Sequence, residues 1–187
     1  MKDLSLHIMD IAQNSIVAGA DRIIFNMKVQ GDPLKLICEF IDNGSGMDLE
    51  FLKMVTDPFK TSRSTRDVGL GIPLLKQSAE MAGGELLIQS ELFKGTLLRA
   101  DFVVNHIDRI PLGDVSGTFA MLIMANPKIR WMIEFWSCSN AFKLDTDEIK
   151  QELGDIPLDN CDVVNWIQNT LSEGIIEVFG GVLDEVG

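Results

Sequence analysis

The chain has 187 residues, of which 46% are hydrophobic and 24% charged, and its formal net charge is −12. This length suits one domain, or a small domain with an appendage, and the apolar fraction excludes an intrinsically disordered chain. The negative charge argues against nucleic acid or an anionic membrane surface as the main partner.

The cysteine and histidine content points to a reducing compartment. Three widely spaced cysteines without a C-x-x-C motif, and only two histidines, argue against a disulfide framework and against a zinc site. The first residues do not resemble a signal peptide, and no apolar run has the length of a bilayer span. We therefore expect a cytoplasmic protein with neither a nucleic acid nor a membrane partner.

The first part of the chain shows the order helix, hairpin, helix, helix, hairpin. Apolar side chains recur at helical spacing before Gly19, and each hairpin consists of two alternating apolar runs around a short break. This order predicts an α+β fold, a two-layer α/β sandwich whose mixed, mostly antiparallel sheet carries helices on one face. The predicted elements are a helix ending before Gly19, strands over 22–29 and 34–42, helices over 48–55 and 71–82, and strands over 85–91 and 96–104.

The second part of the chain contains no functional motif and is predicted to form a small α/β appendage packed against the first part. Its patterns indicate a helix, a strand pair that turns at Ser139-Asn140, and two more helices, the last of them opened by Asp159. We therefore divide the chain into a domain over 1–105 and a C-terminal region of unknown role over 106–187.

The first helix carries Asp10 and Asn14 four residues apart, so both side chains lie on one face about one turn from each other. The simplest interpretation of an isolated pair of this kind is an exposed polar stripe. In the functional interpretation, Asn14 supplies an oxygen to Mg²⁺, which prefers oxygen ligands, and Asp10 orients or deprotonates water.

The second strand ends in the sequence DNGSGM (42–47). Asp42 shares the strand parity of the apolar residues before it, so its carboxylate points to the apolar side, where an unpaired acid is costly. Gly44 and Gly46 permit a backbone turn against a planar ligand, and Asp42 would accept a hydrogen bond from an exocyclic amine such as that of adenine. A D-x-G-x-G sequence is also a common turn.

A basic loop precedes the third helix in the sequence DPFKTSRSTRDVGLGIPLL (57–75). Gly69 and Gly71 allow the backbone to approach an anion where the helix begins, and a helix N-terminus offers free N–H groups to phosphates. Lys60, Arg63 and Arg66 lie just upstream, where they would cover a polyphosphate or, in the simpler interpretation, lie in solvent. The stretch matches neither a Walker A loop nor a Rossmann fingerprint.

The second hairpin contains KGT (94–96), in which Gly95 is a turn residue and Thr96 opens the next strand. Together with DIAQNSIVAGA (10–20), DNGSGM and VGLGIPLL, in this order, it resembles the four sequence boxes of the GHKL ATPase superfamily, which includes gyrase, mismatch-repair ATPases, heat-shock chaperones and histidine kinases. The first box is especially similar to the mismatch-repair form, whereas the basic loop and third helix resemble those of histidine kinases. The resemblance covers about residues 4–104.

This resemblance implies a Bergerat fold that binds Mg-ATP, and it assigns roles to residues by position. Asn14 would hold magnesium, Asp42 the adenine amine, and Thr96 the adenine end of the site. Asp10 would be the catalytic residue, at a position where hydrolytic members usually carry Glu. The implied nucleotide-binding residues are Asn14, Asp42, Gly44, Gly46, Met47, Lys60, Thr61, Arg63, Arg66, Gly69, Leu70, Gly71 and Thr96.

The leading functional hypothesis is a signalling kinase that transfers the γ-phosphate of ATP to a protein partner, as anti-sigma serine kinases do. A nucleotide-dependent binding module without turnover is the alternative, and the negative charge disfavours a DNA-repair-type ATPase. No helical pair with a phospho-acceptor histidine precedes the first box, so the chain does not resemble a complete histidine kinase. His7 is interpreted as a partly buried helix residue, and a homodimer is left open.

Overall fold

The computed structural model of the chain describes residues 3–55 and 70–183. Within these ranges the order of helices and strands is the order predicted from the sequence. The elements are α1 (Leu4–Val17), β1 (Arg22–Gln30), β2 (Lys35–Asp42), α2 (Leu49–Val55), α3 (Gly71–Met81), β3 (Leu86–Glu91), β4 (Gly95–Val103), α4 (Val115–Ala125), β5 (Arg130–Trp136), β6 (Ala141–Asp145), α5 (Thr146–Leu153) and α6 (Cys161–Phe179).

The strands of the described residues form one six-stranded sheet in the order β3-β4-β2-β1-β5-β6. Neighbouring strands are antiparallel, except that β1 and β5 run parallel to each other. The predicted α+β class with a mixed, mostly antiparallel sheet is therefore confirmed.

The two C-terminal strands continue this sheet and do not form a layer of their own. β5 pairs with β1, and its core-facing side chains Trp131, Ile133 and Phe135 are fully buried. The sequence predicted that β5 and β6 pair with each other, but it did not predict that β5 pairs with β1. The apolar alternation of one strand does not say which distant strand lies beside it. The two parts of the chain therefore share a sheet.

In the described residues, α1, α3, α4 and α6 pack on one face of the sheet and cover a single core. α1 contacts α3 and α4, and α4 contacts α6. The Phe25 ring lies at the centre, with its centroid 4.7 Å from that of Phe40 and 4.9 Å from that of Phe119. The other face carries polar side chains such as Lys28 and Glu39, whose Nζ and Oε2 atoms are 2.9 Å apart. Among the described residues, no helix combines the length and apolar composition needed to cross a bilayer.

The segment between β4 and α4 fixes the start of α1. Leu4 N donates a hydrogen bond to Pro111 O, and Ser5 N donates one to Leu112 O, each at 2.9 Å. These bonds satisfy two of the N–H groups that a helix N-terminus leaves free. The position of α1 therefore depends on residues that follow the last strand of the first part of the chain.

The extent of α6 corrects the sequence prediction. Asp159 does not open this helix. The cap is Asn160, whose Oδ1 atom accepts a hydrogen bond from Asp162 N at 2.9 Å. The helix continues to Phe179, because its buried stripe extends through Val178 and Phe179.

Helix α6 approaches β6 closely through a glycine. A methyl carbon on Gly174 would lie 2.6 Å from the Phe142 ring, which itself stacks on Phe135 at a centroid distance of 5.4 Å. Glycine is a poor helix former, so its place inside a long helix needs a packing reason. The contact with Phe142 supplies that reason.

We expect Gly174→Ala to lower the free energy of unfolding by about 1 kcal/mol. The added methyl group overlaps Phe142, and overpacking costs about 1–3 kcal/mol, against a gain in helix propensity of about 1 kcal/mol. Urea denaturation measures the difference. Asn169→Ala, on the exposed face of the same helix, is the control and should be neutral or stabilising. A Gly174→Ala protein as stable as the wild type would show that α6 can shift away from β6.

Candidate functional site

A cavity of about 240 Å³ lies between α1, α2 and the end of the sheet formed by β2 and β4. Most of its wall is apolar, and a few polar groups converge at one end, as is typical of small-molecule sites. The residues that line it are Ile11, Asn14, Ser15, Val17, Ala18, Phe40, Asp42, Ser45, Gly46, Met47, Phe51, Val55, Ile72, Thr96 and Leu98.

Asp42 lies at the polar end of the cavity, in the last core-facing position of β2. Its Oδ2 atom accepts a hydrogen bond from Ser15 Oγ at 2.8 Å, and its Oδ1 atom accepts one from Gly44 N at 2.9 Å. Phe40, two residues earlier on the same face, is buried, as the strand parity predicted. A carboxylate accepts about four hydrogen bonds, so Asp42 keeps acceptor capacity for a molecule in the cavity.

The turn after Asp42 packs so closely that two of its positions have no room for a side chain. A Cβ atom on Gly44 would lie 2.9 Å from Ala18 Cβ. Gly46 has a φ angle of +62°, and the carbonyl of Glu91 occupies the place of its missing Cβ atom. The turn is therefore held between the end of α1 and the β3–β4 hairpin, where it forms a rigid stretch of backbone beside the cavity.

A row of three oxygen-bearing side chains crosses the sheet at the polar end of the cavity. Thr96 is paired with Asp42 across β4 and β2, and with Ser90 across β4 and β3. The Oγ atoms of Ser90 and Thr96 are 2.9 Å apart, and Ser90 Oγ accepts a hydrogen bond from Met47 N at 2.9 Å. Asp42 and Thr96, which come from separate motifs, are therefore neighbours in the fold.

Asp10 faces the N-terminus of α3. A Cβ atom on Gly71 would lie 2.9 Å from Asp10 Cβ and 3.0 Å from Asp10 Oδ2. Burial raises the pKa of the Asp10 carboxyl above its ordinary value. No side chain among the described residues caps α3 at Leu70. An acid with raised proton affinity thus lies next to a helix end that suits anions.

His7 lies one turn before Asp10 and is more deeply buried than predicted, with 1% of its surface exposed. Its Nε2 atom is 3.4 Å from Ser78 Oγ of α3, and its Nδ1 atom has no hydrogen-bond partner among the described residues. Burial lowers the pKa of the ring to about 4. His7 is therefore a neutral packing residue between α1 and α3.

The structure brings together most of the predicted site residues that it describes. Asp10 and Gly71 are in contact at the start of α3, where Leu70 is exposed, and Gly44 adjoins the carboxylate of β2. The predicted residues that line the cavity are Asn14, Asp42, Gly46, Met47 and Thr96. The predicted residues that lie outside the described ranges are Lys60, Thr61, Arg63, Arg66 and Gly69.

The residues at the site that were not predicted from the sequence include Ser15, Ser90 and Phe51. Ser15 falls in the apolar series of α1, and Ser90 falls in the apolar series of β3, so each is a polar residue at a core-facing position. A hydroxyl at a core-facing position needs a hydrogen-bond partner, so the sequence pattern could have marked these two serines as candidate site residues. Phe51 of α2 also lines the cavity, but its sequence pattern does not distinguish it from an ordinary core residue.

Comparison with known proteins gives one family match and several partial relatives. The family model described as histidine kinase-, DNA gyrase B- and HSP90-like ATPase matches residues 2–106. A putative sensor protein from Shewanella frigidimarina is 41% identical over 68 residues, which is 36% of this chain and 10% of the relative. Sporulation kinase D from Bacillus subtilis is 30% identical over 89 residues, which is 48% of this chain and 17% of the relative. The chain therefore spans a small part of the length of these relatives.

The fold is similar to that of a solved MutL ATPase domain. The Aquifex aeolicus MutL ATPase domain complexed with ADP superposes with a TM-score of 0.54 at 13% sequence identity. The match covers 82% of this chain and 68% of that chain. At this identity the similarity concerns the fold alone.

We expect the stability of the protein to fall in mild acid because of His7. The ring pKa is about 4 in the folded protein and about 6.5 in the unfolded chain, so the unfolded state binds the proton first as the pH falls. The free energy of unfolding should decrease between about pH 6.5 and pH 4, by up to about 3 kcal/mol from this residue.

Urea denaturation at a series of pH values measures this slope. His7→Gln, which does not titrate, should flatten it. An unaltered slope in the His7→Gln protein would assign the acid sensitivity to other groups.

Proposed function

Because this chain belongs to the family of histidine kinase-, DNA gyrase B- and HSP90-like ATPases, we propose that it binds ATP in the cavity beside Asp42 and transfers the γ-phosphate to a protein partner. The observation that carries the proposal is the grouping of Asp42 and Thr96 at the polar end of an apolar cavity. Oxygen acceptors in such a place suit the exocyclic amine of a flat ring. The ADP complex of the MutL ATPase domain, which has a similar fold, is a second support.

The other end of the site suits phosphates and magnesium. The N-terminus of α3 at Gly71, which no side chain of the described residues caps, would offer N–H groups to an anion. Asn14 lines the cavity and would offer its amide oxygen to Mg²⁺, which takes its remaining oxygens from phosphates and water. Lys60, Arg63 and Arg66 would add positive charge on this side, a part of the proposal that the sequence alone supports.

Asp10 is the candidate general base. Bound Mg-ATP supplies an activated γ-phosphoryl group. The raised pKa of Asp10 makes its carboxylate a better proton acceptor for an incoming hydroxyl, and its contact with Gly71 places it at the helix end where phosphates would lie. Ile11 and Ile72 line the cavity nearby and limit the access of water.

A protein acceptor is proposed on the strength of the relatives, which are described as a sensor protein and a sporulation kinase. The chain covers no more than 17% of their length, so they do not identify the acceptor. One observation favours the alternative of a nucleotide-dependent binding module without turnover: Asp10 is not among the described residues that line the cavity. The kinase function therefore requires Asp10 to act as a base, whereas the binding-module function does not.

We expect Asp42→Asn to weaken ATP binding by about 1–3 kcal/mol. The amide side chain of this variant can still accept a hydrogen bond from Gly44 N and can donate one to Ser15 Oγ, so the fold should be retained. Towards the adenine amine, however, the side chain would then present an N–H donor in place of a carboxylate acceptor. The preference for ATP over GTP should narrow as well. Titration calorimetry measures the dissociation constants for ATP and GTP, with Glu177→Gln on the exposed face of α6 as the charge-matched control. An unchanged dissociation constant for ATP would remove Asp42 from the base site.

We expect Asp10→Asn and Asn14→Ala to separate turnover from magnesium binding. General-base assistance is worth about 10²–10⁴-fold in rate, so Asp10→Asn should cut hydrolysis or phosphotransfer by that factor and change ATP affinity only a few-fold. Asn14→Ala should instead remove the magnesium dependence of ATP binding. The turnover rate and the dissociation constant for ATP are measured on one preparation, with labelled ATP and Mg²⁺, in the presence and absence of cell lysate.

Two results would overturn parts of this assignment. Wild-type turnover in the Asp10→Asn protein would mean that Asp10 is not the base. ATP binding without turnover in any lysate fraction would favour the binding-module function over the kinase.

A further inference from the structure

The Ser90 hydroxyl is the meeting point of three hydrogen bonds behind the cavity. Its oxygen lies 2.9 Å from Met47 N, 3.0 Å from Gly95 O and 2.9 Å from Thr96 Oγ1. Ser90 does not line the cavity, whereas Thr96 does. Any effect of Ser90 on the hydrogen bonds offered to a bound molecule therefore acts through its neighbours.

The direction of each hydrogen bond follows from the groups involved. A hydroxyl has one proton to donate and two lone pairs to accept with. Met47 N can only donate, and Gly95 O can only accept, so all three contacts are hydrogen bonds at once only when the proton of Ser90 goes to Gly95 O. The third contact is then satisfied only if the Thr96 hydroxyl donates its own proton to Ser90 Oγ.

Thr96 therefore presents lone pairs, and no proton, to the cavity. Its cross-strand neighbour Asp42 is also an acceptor, already bonded to Ser15 Oγ and Gly44 N. An amino group finds acceptors on both side chains. A carbonyl oxygen at the same place would face two acceptors in a site partly removed from water, which is unfavourable.

We infer that Ser90 is a positioning residue that sets base specificity, because it holds the Thr96 proton away from the cavity and so makes the site select 6-aminopurines over 6-oxopurines. This inference rests on the proposed nucleotide-binding function. Without Ser90, the Thr96 hydroxyl is free to rotate and to donate into the cavity, where a carbonyl oxygen would then be accepted.

A purely structural role for Ser90 has a different consequence. In that case the hydroxyl only ties the backbone at Met47 to the β3–β4 hairpin, and its removal weakens every ligand alike. The two roles are separated by the ratio of affinities for ATP and inosine triphosphate. Adenine carries an amine at position 6 and a lone pair at N1, whereas hypoxanthine carries a carbonyl oxygen at position 6 and a hydrogen at N1.

Titration calorimetry with both nucleotides tests the inference on the full chain. Ser90→Ala should reduce the preference for ATP over inosine triphosphate by about 3- to 10-fold, the value of one hydrogen bond. Ser90→Thr keeps the hydroxyl and should keep the preference. Thr96→Val should also reduce it, and adding Ser90→Ala to Thr96→Val should change the ratio no further, because Ser90 acts through Thr96. Ser90→Cys, of similar shape, gives the same information if the alanine variant does not fold.

The outcomes distinguish this inference from the function it rests on. A wild-type protein that binds neither nucleotide overturns the proposed function and the inference with it. Wild-type binding with an unchanged ratio in Ser90→Ala overturns the inference alone. An equal loss for both nucleotides in Ser90→Ala shows a structural role and also overturns it.

Discussion

The hydrogen bond from the Ser15 hydroxyl to the Asp42 carboxylate is the interaction on which the candidate site depends. At 2.8 Å it joins α1 to the last core-facing position of β2. Apolar packing is not directional, so it would leave the helix free to slide over the end of the sheet. The hydrogen bond has a defined geometry, and it also gives a partner to an acid that would be costly at a core-facing position.

Helix α1 is held at its other end by the second part of the chain. Its first N–H groups bond to the carbonyls of Pro111 and Leu112, which follow β4. Gly71 lets the start of α3 approach Asp10 from the side. The side chains of α1 that matter for the proposed chemistry are thus fixed from three directions, and the C-terminal region contributes to the site without lining it. A preorganised arrangement of this kind is what electrostatic catalysis requires.

Sequence reasoning predicted what is local and missed what is distant. Strand parity predicted that Asp42 faces the core, because this signal lies within a few neighbouring residues. The place of Thr96 near Asp42 is not a local signal, and it was expected only from the resemblance of the four motifs to a known family. The pairing of β5 with β1 could not be predicted, since neither strand encodes its partner. Ser15 and Ser90 occupy core-facing positions in α1 and β3 beside apolar residues, so the sequence pattern alone does not assign them to the site. Their roles emerge only when the partners of their hydroxyls, Asp42 and Thr96, are known.

The parallel pairing of β1 with β5 has a consequence for synthesis on the ribosome. Arg22 and Arg130, the first paired residues of β1 and β5, are about a hundred positions apart in the chain, so these two strands can pair only late in synthesis. The β1–β2 hairpin, in contrast, can form as soon as it leaves the exit tunnel. Until β5 emerges, the second edge of β1 has unpaired N–H and C=O groups, and such an edge invites pairing with other chains. There is therefore an interval during synthesis in which residues 2–106, the part that matches the ATPase family, have been translated but one edge of β1 still has no partner strand. In that interval the unpaired edge is a site to which a chaperone can bind.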